Sequence, residues 1–308
     1  MVFIKERFRL FKAALAKLAY FDDYLHQIMN YQHQKQLMEN NVLFSIERGT
    51  IDSLYDGKRI VVSLTTHGKR IHSVFQSIES IFRQTCKPNA VILYLSKEVF
   101  NNKNIPISLL RQCERGLEIR YVKDVKSYTK LVPALIDFPE DIIVTIDDDY
   151  IYPFDLLERL IRVHKQHPSA VCCWHSKIMK ESLKGLAPYN EYKANYPEKD
   201  SESMAFLAEG FCGVLYPPHV LHPDVTREEL FLKLAPWADD LWFKAMEMLQ
   251  GTPVVQLAND EGWIYKFASD ESVQDIGLKN MNVIQNKNDE QLKAIFDHYN
   301  LYGIISSS

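Results

Sequence analysis

Short apolar runs, uncharged except at Glu118 and Arg120, alternate along the middle of the chain with stretches in which apolar residues return every three or four positions. The runs at 60–64, 90–95, 117–122, 142–146 and 170–174 read as strands. Between them, Val74, Ile78, Ile81 and Phe82 give 71–84 the spacing of a helix. Residues 128–135 read as a second, short helix. Pro153 stands where a first helical residue would, and Leu156, Leu157, Leu160 and Val163 continue that helix. Strands alternating with helices predict an α/β fold: a Rossmann-like, mainly parallel central sheet with helices on both faces. The run Ile142, Ile143, Val144, Thr145, Ile146 carries no charge, as a strand covered on both sides requires.

The flanks differ from this core. Residues 1–45 contain no glycine or proline and predict an N-terminal helical extension, taken as 1–50. Phe3, Phe8, Phe11, Leu15 and Leu18 form its apolar stripe, beside Lys5, Arg7, Arg9, Lys12 and Lys17. Packing on the main domain is the favoured expectation; peripheral contact with an anionic membrane is the other. A main domain is expected over 51–258, in two halves at 58–150 and 151–258. The tail 259–308 is expected to pack on it, with 279–293 a polar surface helix and loops. Residues 176–203, polar and bearing Tyr189, Tyr192 and Tyr196, read as a long functional loop or lid.

Composition narrows the partners. Apolar content of 46% and charged content of 25% are ordinary for a soluble globular protein. A formal net charge of −4 argues against a general nucleic-acid binder. Cys86, Cys113, Cys172, Cys173 and Cys212 have neither zinc-site spacing nor the even number of a disulfide framework. They are expected to be reduced thiols in a cytoplasmic protein, with adjacent Cys172 and Cys173 on opposite faces of one strand. No run approaches the roughly 20 apolar residues of a membrane span, and charges from Lys5 to Lys17 break any signal peptide. Self-association is left open.

The chemistry concentrates where the 142–146 run ends, in Asp147, Asp148 and Asp149. Carboxylates crowded there repel one another unless a cation or donors compensate. The carboxyl end of such a strand is where open α/β sheets bind ligands. Hard divalent ions take oxygen ligands and bridge substrate phosphates. The pattern points to Mn²⁺ or Mg²⁺ held against a diphosphate; an acidic turn ahead of a helix is the bland alternative. A second acidic pair, Asp239 and Asp240, lies between Trp237 and Trp242 at the start of a predicted helix. One of the pair can cap the helix while the other acts as a general base.

These pieces, in this order, resemble the GT-A glycosyltransferases, specifically family 2-like bacterial enzymes of surface-polysaccharide (capsule or lipopolysaccharide) synthesis. The first strand with Thr65 and Thr66 resembles the family's nucleotide-binding turn. Ser77 to Thr85 with Pro88 is similar to its "SI…QT..P" helix and turn, and Asp147-Asp148-Asp149 resembles its DXD motif. Gly210 to Pro217 looks like the acceptor-side segment, and Ala238 to Trp242 is similar to the late acidic motif, here Asp-Asp rather than the commoner Glu-Asp. The likeness covers about 60–255.

The resemblance implies a metal-dependent, inverting transfer of a sugar from a nucleotide diphosphate donor, UDP-linked by preference, to a glycan or lipid-linked acceptor. Asp149, with Asp147, would hold the metal. Thr65, Arg70, Lys130, Asp147 and Asp148 would meet the donor, and Gly210, Phe211 and Trp237 the acceptor. Asp240, or its neighbour Asp239, would be the base. Tyr189, Tyr192 and Trp263 are unranked candidates for stacking on sugars. His67 reads as a loop residue, and His298 lies in no motif. Two other classes compete. A sugar-nucleotide nucleotidyltransferase would need a glycine-rich phosphate loop, but residues 65–70 hold one glycine, Gly68. A non-catalytic sugar-nucleotide-binding subunit would have no need of both acidic motifs.

Overall fold

The computed structural model describes residues 25–26, 28–182, 185–259, 268–269 and 287–305. The stripe from Phe3 to Leu18, Trp263 and Lys279 lie outside them. Eight strands form the main sheet: β1 (Ile60–Thr65), β2 (Ala90–Ser96), β3 (Leu117–Val122), β4 (Ile142–Thr145), β5 (Val171–Cys173), β6 (Ser201–Ser203), β7 (Val214–Tyr216) and β8 (Val254–Gln256). Their order across the sheet is β6-β8-β5-β7-β4-β1-β2-β3. Strand β1 runs parallel to both β2 and β4, β2 to β3, and β8 to β5. Strand β7 is antiparallel to β4 and β5, and β6 to β8. The sheet is therefore mainly parallel, with two reversed strands.

Chain direction makes the ligand end. From β1 the chain moves outward to β2 and β3, then returns to the other side of β1 for β4. That reversal leaves a crevice at the carboxyl ends of β1 and β4, where α/β sheets take their ligands. Ser63 pairs with Thr145, so Thr66 and the three aspartates leave the sheet side by side.

The helices are α1 (28–44), α2 (Phe75–Phe82), α3 (Ile107–Cys113), α4 (Val132–Asp137), α5 (Leu156–Gln166), α6 (Glu228–Leu234), α7 (Asp239–Gln250) and α8 (Lys287–Tyr299). Strand alternation sorts them into two layers. Ile60, Val62 and Leu64 of β1 pack with α2, α3 and α5 on one face. Val61 faces the other layer, built from α4, α6, α7 and α8. Cys172 and Cys173 divide between the same two cores. Each fully buried Val, Leu or Ile contributes about 1.5–3 kcal/mol. Helix α1 lies on the domain through buried Tyr31 and Met38, and Tyr31 donates to Gln76 Oε1 at 3.3 Å. No helix among the described residues is long and apolar enough to cross a membrane.

Several boundaries differ from the sequence expectation. The 71–84 helix divides into a 3-10 turn, Gly68–His72, followed by α2. The short helix at 128–135 also divides, into a 3-10 turn, Lys126–Lys130, and α4. Pro133 lacks an N–H and suits the first turn of a new helix, which favours the break. Helix α5 starts at Leu156, not Pro153, because Gln84 reaches across from the end of α2. Its Oε1 accepts from Leu157 N at 3.0 Å while its Nε2 donates to Pro153 O at 2.7 Å. The 176–203 stretch is not one long loop. Ser176–Ile178 pairs antiparallel with Lys193–Ala194 and Phe206–Ala208, and Ser201–Ser203 is β6. The last helix is no surface appendage either, since Leu292, Ile295 and Phe296 of α8 are buried in the core against α7.

Candidate active site

The loop after β4 distributes its three carboxylates differently. Asp148 is buried and held from β1's side: Thr66 Oγ1 donates to its Oδ2 at 2.5 Å and Arg70 Nη1 to its Oδ1 at 2.8 Å. It was expected at the donor, but both its oxygens tie the two loops together. Asp149 accepts from the same Arg70 nitrogen at 3.2 Å. Asp147 is the most open, its side chain 30% exposed. Its backbone N–H donates to Tyr152 Oη at 2.8 Å, and that hydroxyl donates to Phe211 O at 2.9 Å. Tyr152 thus joins the acidic loop to the segment before β7.

Lys130 stands at the centre. Its Nζ lies 2.9 Å from Asp147 Oδ1 and 3.2 Å from Asp239 Oδ2, and the residue is only 7% exposed. A reach to a donor phosphate was expected; the ammonium is instead enclosed by carboxylates. Burial disfavours its charge, but Asp147, Asp239 and Asp240 outweigh that and raise its pKa well above the ordinary value. Helix α7 starts at Asp239, so both late aspartates are in its first turn. The cap position is Ala238, and neither aspartate serves as a side-chain cap. Asp240 Oδ2 instead accepts from Gly210 N at 3.3 Å. A Cβ on Gly210 would lie 2.6 Å from Lys130 Nζ and 3.1 Å from Asp240 Oδ1. Only glycine leaves the ammonium and the carboxylate this close to the backbone.

The acidity follows from these surroundings. Burial first, then the charge of Asp239, pushes Asp240 up to about 8 against the pull of Lys130. Burial, then Asp147 and Asp148, pushes Asp149 up to about 7 against Arg70. A carboxyl poised near neutrality and joined to a backbone N–H is suited to accept a proton from a substrate hydroxyl.

The remaining expected residues scatter around this centre. Thr65 Oγ1 is tied to Tyr94 O at 2.9 Å. The Phe211 ring is half-buried, 5.3 Å from Tyr150 and 5.5 Å from His175. Trp237 has Lys126 Nζ 3.4 Å from its ring centroid, and its backbone N–H donates to Gln291 Oε1 at 2.8 Å. His67 occupies the position before the Gly68–His72 turn without a side-chain cap bond, and His298 packs on Tyr299, its neighbour at the end of α8. Sequence reasoning missed the cluster beside Gly210. Glu209 is bracketed by His175 Nδ1 at 2.9 Å and Lys177 Nζ at 3.0 Å, and Lys177 also donates to Tyr189 Oη at 3.1 Å. Burial raises the Glu209 pKa, but His175 and Lys177 reverse this and leave it lowered. Glu209 stands directly before Gly210, the one local hint; its partners come from the Ser176–Ile178 strand and the residue before it.

Among the described residues no group of three or more His, Cys, Asp or Glu side chains is placed to hold a metal ion. The donor set still fits a hard divalent ion. Asp147 and Asp149 are the two carboxylates the loop offers it, and Asp149 is raised by burial first and then by the charges of Asp147 and Asp148. Mg²⁺ and Mn²⁺ sites of this kind take their other oxygens from substrate phosphates and water.

No protein-family model matches the chain, and no curated protein matches it. Similar solved structures are distant. The 1–349 segment of S. aureus TarS in complex with UDP is 12% identical, with a TM-score of 0.43, over 66% of this chain and 58% of that one. The chain thus spans less than two thirds of that structure. The mannosyltransferase PcManGT from Pyrobaculum calidifontis, in complex with GDP-Man and Mn²⁺, is 13% identical, with a TM-score of 0.46, over 93% and 75%. Another structure of TarS 1–349 is 12% identical, with a TM-score of 0.45, over 77% and 70%. Likeness this loose leaves function to be argued from the site.

Proposed function

We propose that the protein is a metal-dependent, inverting glycosyltransferase that moves a sugar from a nucleotide diphosphate donor, most simply a UDP-sugar, to a hydroxyl of a glycan or lipid-linked acceptor. Bacterial surface-polysaccharide synthesis, inside the cell or at the inner membrane face, is the setting that the sequence resemblance suggests. One observation carries the reading. The two acidic motifs, far apart in sequence, share Lys130 in one corner at the ligand end of the sheet.

Each residue has a task in this reading. Asp147 and Asp149 would hold Mn²⁺ or Mg²⁺, which would supply neutralising charge for the departing diphosphate. Arg70, a third exposed and two-pronged, turns toward the donor phosphates. Thr65 and Thr66 line the donor pocket. Phe211 and Trp237 present apolar ring surface to the acceptor sugar. Asp240 Oδ1 takes the proton from the acceptor hydroxyl. The hydroxyl oxygen bonds to the anomeric carbon as that carbon's bond to the diphosphate oxygen breaks, and the electron pair leaves with the diphosphate. Attack from the face opposite the leaving group inverts the anomeric centre. Asp239, paired with Lys130, keeps Asp240 in place.

The test is a thermal-shift panel of nucleotide-sugars with and without Mn²⁺, followed by UDP release from whichever binds. A concentration-dependent, Mn²⁺-dependent stabilisation that Asp149→Ala abolishes is expected. Stabilisation by no nucleotide-sugar, or an Asp149→Ala protein with normal turnover at saturating Mn²⁺, rejects the reading. Release of pyrophosphate would identify a nucleotidyltransferase instead.

A further inference from the structure

The Lys126–Lys130 turn bears three side chains at alternate positions, and all three reach the segment from Phe231 to Phe243. Lys126 lies against the face of Trp237. Tyr128 stacks on Phe231 with ring centroids 4.1 Å apart, meets Phe243 edge-on at 5.7 Å, and donates its hydroxyl to Ala235 O. Lys130 reaches Asp239. The opposite side of the turn is fixed to the sheet, where Ser63 Oγ of β1 donates to Lys130 O at 2.6 Å. Lys126 itself is left-handed, with φ 62°, and its N–H donates to Asp124 Oδ1 at 2.8 Å. A lysine keeps that conformation only where its surroundings impose it. The turn is thus clamped between β1 and the start of α7, with Lys130's ammonium at its end.

We propose that this turn is a strut that sets the distance between donor-side Asp147 and acceptor-side Asp239 and Asp240, with Lys130 as the positioning residue and Gly210 as the space cleared for its ammonium. The terms donor side and acceptor side rest on the glycosyltransferase reading; the strut does not. Carboxylates gathered this closely push apart without a shared cation. A buried ammonium between them resists displacement, because moving either partner leaves a buried charge unpaired. Lys130 touches no substrate in this scheme. Its loss lets the two half-sites drift while each can still bind its own ligand.

The experiment compares Lys130→Met, Lys130→Arg, Gly210→Ala and the Lys130→Met/Gly210→Ala double variant with the wild type. UDP binding in Mn²⁺ is measured by calorimetry, UDP release from a UDP-sugar by initial rates, and stability by urea unfolding. In Lys130→Met, kcat should fall about 100-fold, since a displacement near 1 Å suffices for that, while the UDP Kd and donor KM hold within about threefold. Lys130→Arg, which keeps the charge, should recover part of kcat. Gly210→Ala, whose new Cβ meets the same ammonium, should copy the kcat loss. The destabilisations of Lys130→Met and Gly210→Ala should be markedly non-additive in the double variant, as expected for groups in contact.

An unchanged kcat in Lys130→Met, or loss of UDP affinity as from a phosphate ligand, overturns the proposal. Should Lys130→Met not fold, Gly210→Ala decides by the same split between kcat and Kd. If the wild type neither binds UDP nor releases it, the functional reading falls, and the unfolding cycle decides alone. Additive losses then reject the strut, and non-additive losses sustain it.

Discussion

Arg70 shares a single guanidinium nitrogen between Asp148 Oδ1 at 2.8 Å and Asp149 Oδ2 at 3.2 Å. Asp148 has a second donor in Thr66, so the bond to Asp149 is the more easily given up. While it is made, the guanidinium competes with a divalent ion for Asp149. Arg70→Ala should therefore bind Mn²⁺ alone several-fold more tightly. It should also bind UDP in saturating Mn²⁺ about 10–100-fold more weakly, the size of one lost charge-assisted hydrogen bond. Calorimetry of the two titrations tests this. Equal changes in the same direction would count against the exchange.

Burial, then the charge of Asp239, pushes Asp240 up to about 8, well above the ordinary carboxyl value. A base must be unprotonated to act, so kcat/KM should rise with pH and level off above about 8, a limb that Asp240→Asn lacks. Stability runs the other way. The folded pKa lies above the usual 3.8, so proton uptake favours the folded state, and this contribution is lost as pH rises through about 8. Asp240→Asn should accordingly melt above the wild type at pH 9, with the gap closing toward pH 5. A pH–rate profile and melting curves at these two pH values decide the matter.

Tyr152 is buried, and its hydroxyl holds two backbone groups, Asp147 N–H and Phe211 C=O. Tyr152→Phe keeps the ring and strands both. The expected cost is about 1–3 kcal/mol, read as a lower urea midpoint. Turnover should fall as well, because Asp147 loses one anchor of its backbone. Full stability in Tyr152→Phe would mean that the bridge contributes nothing net.

Away from the crevice, Glu79 of α2 is fully buried against Arg115, with Nη1 to Oε1 at 2.6 Å, and Gln112 of α3 donates to the same oxygen at 3.0 Å. Arg115 also donates its Nε to Glu47 O at 2.8 Å, which ties the chain after α1 to the domain. Glu79→Ala leaves a buried guanidinium unpaired and should cost about 3–5 kcal/mol. UDP affinity of the folded fraction should not change. Urea unfolding and calorimetry on the same preparation separate the two effects.

The strand-helix order and the acidic end of β4 were legible because each is a local pattern. Short, β-branched, uncharged runs such as 142–146 suit covered strands, and the aspartates after them need no partner to be seen. Boundaries were less legible where a distant side chain sets them. Gln84 places the start of α5, and nothing near Pro153 announces it. The polar stretch 176–203 read as a lid because its strands are two or three residues long, too short to show alternation.

The sequence by itself determined the α/β class, the parallel half of the sheet and the residues able to carry chemistry. Periodicity and crowded charge are properties of neighbours along the chain. Only the tertiary structure decided how those residues are used. It enclosed Lys130 among Asp147, Asp239 and Asp240, tied Asp148 to Thr66 and Arg70, and built Glu209 its own bracket of His175 and Lys177. The physical reason is that a charge's role depends on which opposite charges share its buried volume. That is fixed by sheet order and helix placement, which no local pattern encodes.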